Sequence, residues 1–102
     1  MVKETTKLVN VDMIQKTVAH FYKLPMNDLK AKRRNKNIVL PRQIAMYISR
    51  HITNLSLPEI GFAFGGKDHT TVLHSCKKIE KLMTVDKNIK NSIEHLITEI
   101  KQ

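Results

Sequence analysis

Cysteine, glycine, proline and tryptophan are all scarce in this 102-residue sequence, which has 1 Cys, 3 Gly, 3 Pro and no Trp. The single Cys76 excludes an internal disulfide and fits a reducing compartment. The shortage of Gly and Pro argues against a loop-rich fold, and no apolar run is long enough for a signal peptide or a membrane span. Because 41% of the residues are hydrophobic, we expect one small, soluble, cytoplasmic domain with an aliphatic core.

Acidic residues are absent from one long stretch of the chain. Lys and Arg total 18 against 9 Asp and Glu, a net charge of +9, yet no acid lies between Asp28 and Glu59. The basic residues of that window are Lys30, Lys32, Arg33, Arg34, Lys36, Arg42 and Arg50. Such a charge favours polyanionic partners, either nucleic acid or an anionic membrane surface. Its distribution predicts one strongly positive face.

Apolar residues recur at helical spacing, and no segment alternates convincingly at period two over the length of a strand. The sequence therefore predicts an all-α fold of about six helices. Residues 1–10 lack periodicity and are expected to be a linker or frayed lead-in. Residues 11–102 are expected to form the folded domain.

Local start signals set the predicted boundaries in the first half. Asp12 and Gln15 resemble a capping box that opens the first helix. Pro25 starts a second, short helix. The basic segment 31–40 is predicted to be a loop, and Pro41 to lie in the first turn of the third helix.

A helix-turn-helix is predicted in the second half. Residues 56–59, SLPE, carry a capping box for a short helix over 57–64, and the Gly65–Gly66 pair favours a tight turn. Asp68 is a natural N-cap for the next helix. That helix is expected to bury Val72, Cys76, Ile79 and Met83. Thr84 and Val85 are expected to break it, and Asp86 opens the last helix.

The first turn after Asp68 holds the best candidates for reading DNA bases. In a helix-turn-helix, the N-terminal residues of the second helix meet base edges. Asp68 can accept from a cytosine amino group, His69 can donate or accept, and the methyl groups of Thr70 and Thr71 can pack on thymine. The alternative interpretation is a capped helix start with no role in binding, and these four residues do not decide between the two.

Other basic residues suit the DNA backbone or the minor groove. Arg33 and Arg34 lie in the predicted loop, from which an arginine can enter a narrow minor groove, although a solvated charge run is the simpler interpretation. Phosphate contacts, which position the protein without specifying sequence, suit Arg42, Gln43, Arg50, Lys67 and His74.

A metal site and an enzyme are both rejected. His69 and His74 diverge by about 140° around a helix, and Cys76 lies too far along it to share one ion with His69. A hydrolase built on Asp68, His69 and Ser75 fails because neighbours on one helix do not converge on a pocket. The chain also lacks a phosphate-binding GxxxxGK[ST] loop. We expect no catalytic residue, metal or cofactor.

Three motifs, in order and register, resemble the C-terminal DNA-binding domain of the DnaA family of bacterial replication initiators. They are FGGKDHTTVLHSCKKI at 64–79, LPRQIAMYISR at 40–50 and SLPEIG at 56–61, and the basic KRRNK at 32–36 matches too. The resemblance implies a Trp-repressor-like helix-turn-helix that binds A·T-rich boxes, related to TTATNCACA, at the replication origin. Lys67 departs from the family's usual Arg, which keeps the charge but loses the bidentate fork.

The resemblance also implies a role for each matching residue. Base readers would be Arg34 in the minor groove, Leu57 and Pro58 near thymine methyls, and Asp68, His69 and Thr70 in the major groove. Phosphate contacts would be Arg33, Lys36, Arg42, Gln43, Arg50, Lys67, Thr71 and His74. The partner would be double-stranded DNA, bound by a monomer with no need of a membrane. ATP would belong to a separate ATPase module that precedes this domain in intact family members.

Two alternatives stay open at this point. A transcriptional helix-turn-helix regulator would use the same helices. A helical adaptor would instead bind a protein through an exposed apolar patch at Phe62 and Phe64, and would show weak, salt-insensitive DNA binding.

Overall fold

The computed structural model describes residues 9–102, and this part of the chain is all helical, as predicted. Five α-helices and one 3-10 helix follow one another without a strand in these residues. They are α1 (Val11–Phe21), the 3-10 helix (Met26–Leu29), α2 (Lys36–Ile52), α3 (Leu57–Ala63), α4 (His69–Val85) and α5 (Lys87–Lys101). The predicted lead-in, residues 1–10, falls almost wholly outside the described residues. No helix described here is long and apolar enough to cross a membrane.

Helix α2 lies at the centre and packs against every other α-helix. The core is aliphatic, as the shortage of aromatics predicts, and each fully buried aliphatic side chain stabilises the fold by roughly 1.5–3 kcal/mol. The larger hydrophobic residues with no exposed surface, all aliphatic except Phe64, are Ile14, Val18, Leu29, Ile44, Met46, Ile48, Ile60, Phe64, Val72, Ile79, Ile93 and Leu96. Cys76 joins this core at 3% exposure, and burial raises the pKa of its thiol.

The start of α1 differs from the prediction. The side chain of Asn10, not Asp12, caps the helix by accepting from the amide of Met13 at 2.9 Å. Asp12 lies in the first turn and pairs with Lys16 at 3.5 Å. Gln15 is 1% exposed and donates to the carbonyl of Ala63 at 3.0 Å. Gln15 therefore ties α1 to the end of α3, a long-range contact that a local capping pattern cannot reveal.

The start of α2 is the larger error, because the predicted loop over 31–40 becomes helical from Lys36 onward. Pro41 is the sixth residue of α2 rather than part of its first turn. A proline there lacks the N–H that would bond to the carbonyl of Asn37. The position is nonetheless tolerated, since Ile38 and Pro41 are both buried and packing offsets one missing bond. Polar composition misled the prediction here.

The helix-turn-helix forms as expected. The Ser56 side chain accepts from the amide of Glu59 at 3.2 Å, and the Glu59 carboxylate accepts from the amide of Ser56 at 2.8 Å. Gly65 and Gly66 adopt φ of 89° and 80°, a region that side chains with a Cβ rarely adopt. A methyl group on Gly65 would also overlap the carbonyl oxygen of Lys30. The turn therefore packs directly on the chain that follows the 3-10 helix.

The end of α4 was predicted two residues too early. Thr84 and Val85 continue the helix, and the Thr84 hydroxyl donates to the carbonyl of Lys81 at 2.7 Å. Asp86 caps α5 as predicted, since its side chain accepts from the amides of Asn88 and Ile89.

Candidate nucleic-acid interface

The first turn of α4 is presented to solvent. Asp68, His69, Thr70 and Thr71 are all exposed, and the buried stripe begins at Val72. The fold therefore uses none of these four side chains in its core. Contact with an external partner is sterically open to them.

Asp68 occupies the N-cap position of α4 but does not cap it through its side chain. One carboxylate oxygen accepts from the Thr70 hydroxyl at 3.1 Å, and the other lies 3.1 Å from Nδ1 of His69. The predicted side-chain cap is thus wrong. The hydrogen bond from Thr70 lowers the pKa of Asp68, with a smaller contribution from His69, so the carboxylate is ionised at neutral pH.

The basic loop, residues 30–35, lies beside this turn. An open groove of about 480 Å³ separates the loop from α2 and α4; we call it the interface groove. Residues that line it include Lys32, Arg34, Arg42, Gln43, Lys67, Asp68 and Thr71. Four of these seven carry a cationic side chain and one is acidic, so the groove suits a polyanion. Arg33 of the loop and Lys36, the first residue of α2, are both exposed.

Arg42 is placed differently from the expectation of an exposed phosphate contact. Its residue is 7% exposed, and its guanidinium donates to the backbone carbonyls of Asp28, Leu29, Ala31 and Arg33. Lys67 is half-buried, and its ammonium donates to the carbonyls of Lys30, Ala31 and Phe64. Both cations therefore have an internal role that sequence reasoning missed, because carbonyl partners leave no signal in a residue pattern.

The remaining candidates divide into two groups. Gln43 reaches the interface groove, where its Oε1 is buried and has no hydrogen-bond partner. Arg50, Leu57, Pro58 and His74 do not line the groove. Of these, Leu57 is half-buried and the other three are exposed.

Lys32 and Ser75 also line the groove and were not singled out as site residues. Only the charge run pointed toward Lys32. Ser75 lies in α4 at 5% exposure, and nothing in the sequence distinguishes it from a core residue. In residues 9–102, no group of three or more His, Cys, Asp or Glu side chains is placed to hold a metal ion.

The fold and the groove define a class of protein: a helix-turn-helix domain whose second helix begins with an exposed turn beside a basic loop. The family model that describes the bacterial DnaA protein helix-turn-helix matches residues 11–79. The chain therefore belongs to that family, as the motifs predicted, and the match to a DNA-binding domain supports the prediction of a non-enzymatic role.

Two individual proteins illustrate the relationship. The chain is 52% identical over 100 residues to the chromosomal replication initiator protein DnaA of Geotalea daltonii, covering 98% of this chain and 22% of that protein. It spans about a fifth of the length of that curated relative. A crystal structure of a DNA replication initiation factor superimposes with a TM-score of 0.76 and 32% identity, over 88% of this chain and 28% of the other. The structural match confirms the predicted fold class.

Proposed function

We propose that this chain binds short A·T-rich DnaA-box-type sites in double-stranded DNA and contributes to the initiation of chromosomal replication. One observation carries the proposal: Asp68 and Thr71 at the start of α4 line the same groove as Lys32 and Arg34 of the basic loop, and His69 and Thr70 lie exposed between them in sequence. A duplex seated there would meet α4 in its major groove and the loop in its minor groove. This is the docking expected of a helix-turn-helix with a basic arm.

Sequence readout would come from two places. Asp68, His69 and Thr70 would meet base edges in the major groove, with Leu57 and Pro58 near thymine methyls. From the loop, Arg34 would enter the minor groove, where A·T-rich sequence concentrates negative potential. The sequence-independent part of the binding would come from Arg33, Lys36, Gln43, Arg50, Thr71 and His74 at phosphates, with Arg42 and Lys67 adding positive charge to the groove.

The proposal also covers the oligomeric state, location and cofactor requirement of the domain. The domain would act on DNA as a monomer in the cytoplasm, with no cofactor of its own and no membrane contact. ATP binding would belong to another module of intact family members.

The adaptor alternative loses half of its proposed patch. Phe62 is 83% exposed, but Phe64 is fully buried in the core. A single exposed phenylalanine is ordinary on a protein surface.

The first test is a titration of the chain with box and scrambled duplexes at two salt concentrations. We expect tighter binding to the box at both, and a log affinity that falls by about 0.9 per phosphate neutralised as log salt rises. Equal affinity for the two duplexes would contradict sequence-specific recognition. A nearly flat salt dependence would contradict the electrostatic part of the proposal.

A further inference from the structure

Two cations from separate parts of the chain, Arg42 of α2 and Lys67 of the turn before α4, bond to the same stretch of backbone. Between them they take the carbonyls of all four residues 28–31, and Arg42 also takes that of Arg33. The carbonyl of Ala31 serves both cations. The chain that enters the basic loop is thereby held from two sides.

The Arg42 guanidinium holds the side that faces α2. Its Nε donates to Leu29 at 3.2 Å, while Nη2 donates to Ala31 at 2.9 Å and to Arg33 at 2.8 Å. A planar fork of fixed geometry suits several acceptors that are themselves fixed in space. Arg33 immediately precedes Arg34, so this contact fixes the backbone next to the predicted minor-groove side chain.

The Lys67 ammonium holds the side that faces the helix-turn-helix. It has three N–H donors and three carbonyl acceptors, Lys30 at 3.3 Å, Ala31 at 3.0 Å and Phe64 at 2.7 Å. Phe64 ends α3, so one ammonium joins the basic loop to the helix-turn-helix. The close approach of Gly65 to the Lys30 carbonyl places the two segments in direct backbone contact at the same point.

Charge does not explain why these two side chains lie together. Among the ion pairs of residues 9–102, none involves Arg42 or Lys67. Burial lowers the pKa of both, and the negative charge of Asp28 offsets only part of this effect at Arg42. The positive charge of Arg42 lowers the pKa of Lys67 further. Two neighbouring cations repel each other, so the hydrogen bonds to carbonyls must offset both desolvation and repulsion.

We infer that Arg42 and Lys67 are positioning residues that fix the basic loop relative to the first turn of α4, so that minor-groove and major-groove contacts act as one rigid unit. The inference rests on the proposed function. It replaces a direct role for these two residues at phosphates with an indirect role in sequence discrimination. The two roles differ in what a charge-conserving substitution does.

Arg42→Lys is the most direct test, because it keeps the charge and removes the fork. The variant should bind scrambled DNA as the unchanged chain does. It should lose about fivefold to tenfold of its preference for the box over a box whose A·T-rich end is replaced by G·C pairs. In the Arg34→Ala background the same change should cost little further preference, because the side chain that Arg42 positions is gone. Unchanged preference in Arg42→Lys, or full additivity with Arg34→Ala, would overturn the inference.

Substitutions of Lys67 provide a second test, which includes a variant expected to restore the preference for the box. Lys67→Met should reduce the same preference, whereas Lys67→Arg, which restores donors, should recover most of it. Lys90→Met is the matched control, since it removes one exposed lysine charge from α5 and should leave the preference unchanged. If Lys67→Met instead weakens binding to box, altered box and scrambled DNA equally, Lys67 is only a phosphate contact and the inference fails.

The rigidity of the basic loop can also be measured directly, on the unsubstituted chain without DNA. This test does not depend on whether a variant folds. Backbone ¹⁵N relaxation should give residues 31–34 order parameters near those of the helices, about 0.85. Values below about 0.6 would mean that the loop is not held, and would overturn the inference whatever the DNA titrations show. Rigid residues 31–34 combined with equal affinity for box and scrambled duplexes would instead contradict the proposed function alone.

Discussion

The starts of α3 and α4 look alike in sequence and differ in structure. Each has a small polar residue at the N-cap position, Ser56 before α3 and Asp68 before α4. Ser56 turns inward and bonds to its own helix, while Asp68 turns to the side chains of His69 and Thr70. No amide at the start of α4 is consequently capped by a side-chain hydrogen bond, although the ionised carboxylate of Asp68 lies at that end of the helix. The side chains at the first start cap their own helix, whereas those at the second start bond to one another.

The largest effect should be on specific DNA binding, when exposed side chains of the first turn of α4 are removed. His69→Ala and Thr70→Ala should each cost ~1–3 kcal/mol of specific binding, or roughly five- to 150-fold, because each would remove a proposed base contact. Both side chains are exposed, so the free energy of unfolding should change by no more than ~0.5 kcal/mol. Titration against box and scrambled duplexes, beside thermal unfolding, separates the two effects. If both variants distinguish box from scrambled duplex as well as the unsubstituted chain does, the first turn of α4 does not read bases.

An intermediate effect is expected on the free energy of unfolding, which should respond differently to substitution of Ser56 and of Asp68. Ser56→Ala should lower the free energy of unfolding by ~1 kcal/mol, since it opens the capping box. Asp68→Asn should lower it less, because the carboxylate makes no capping hydrogen bond to α4, while discrimination between duplexes falls. Chemical denaturation of both variants checks this contrast. Equal destabilisation by the two substitutions would show that Asp68 caps α4 in solution.

The smallest effect should be on how the free energy of unfolding depends on pH. Hydrogen bonds from the backbone and side chain of Ser56 lower the pKa of Glu59 from its ordinary 4.5. A depressed carboxylate pKa stabilises the fold above the ordinary value, and that contribution is lost as pH falls through the depressed one. Glu59→Gln should therefore flatten the loss of unfolding free energy below about pH 4.5, whereas the control Glu94→Gln, at an exposed position of α5, should not. Parallel pH profiles for the two variants would contradict the capping assignment.

Local patterns predicted much of this fold because most of its elements are locally encoded. The Ser56–Glu59 box, the Gly65–Gly66 turn and the Asp86 cap each depend on residues within three positions of one another, and all three form as predicted. Helix α2 was missed at its start because Lys36 and Asn37 are polar, and only the burial of Ile38 in the tertiary structure makes that turn favourable.

The candidate site divides in the same way. Exposure of the Asp68–Thr71 turn follows from helical periodicity, since the buried stripe starts at Val72. The roles of Arg42 and Lys67 could not be predicted, because their hydrogen-bond partners are backbone carbonyls, which every residue has and which no residue type in the sequence reveals. The residue types indicated a positive charge at both positions. They did not indicate that each side chain points toward backbone carbonyls instead of solvent.

The burial of Cys76 gives the molecule an internal reporter. It is the single thiol in the chain, it lies on α4, and its Sγ is 3.8 Å from the carbonyl of Met46 on α2. A thiol reagent can reach it only when α4 separates from α2, so the rate of alkylation measures how often the proposed recognition helix leaves its support. A ligand that binds only the closed arrangement slows that rate in proportion to its occupancy, and the native chain can therefore report its own binding without an attached label.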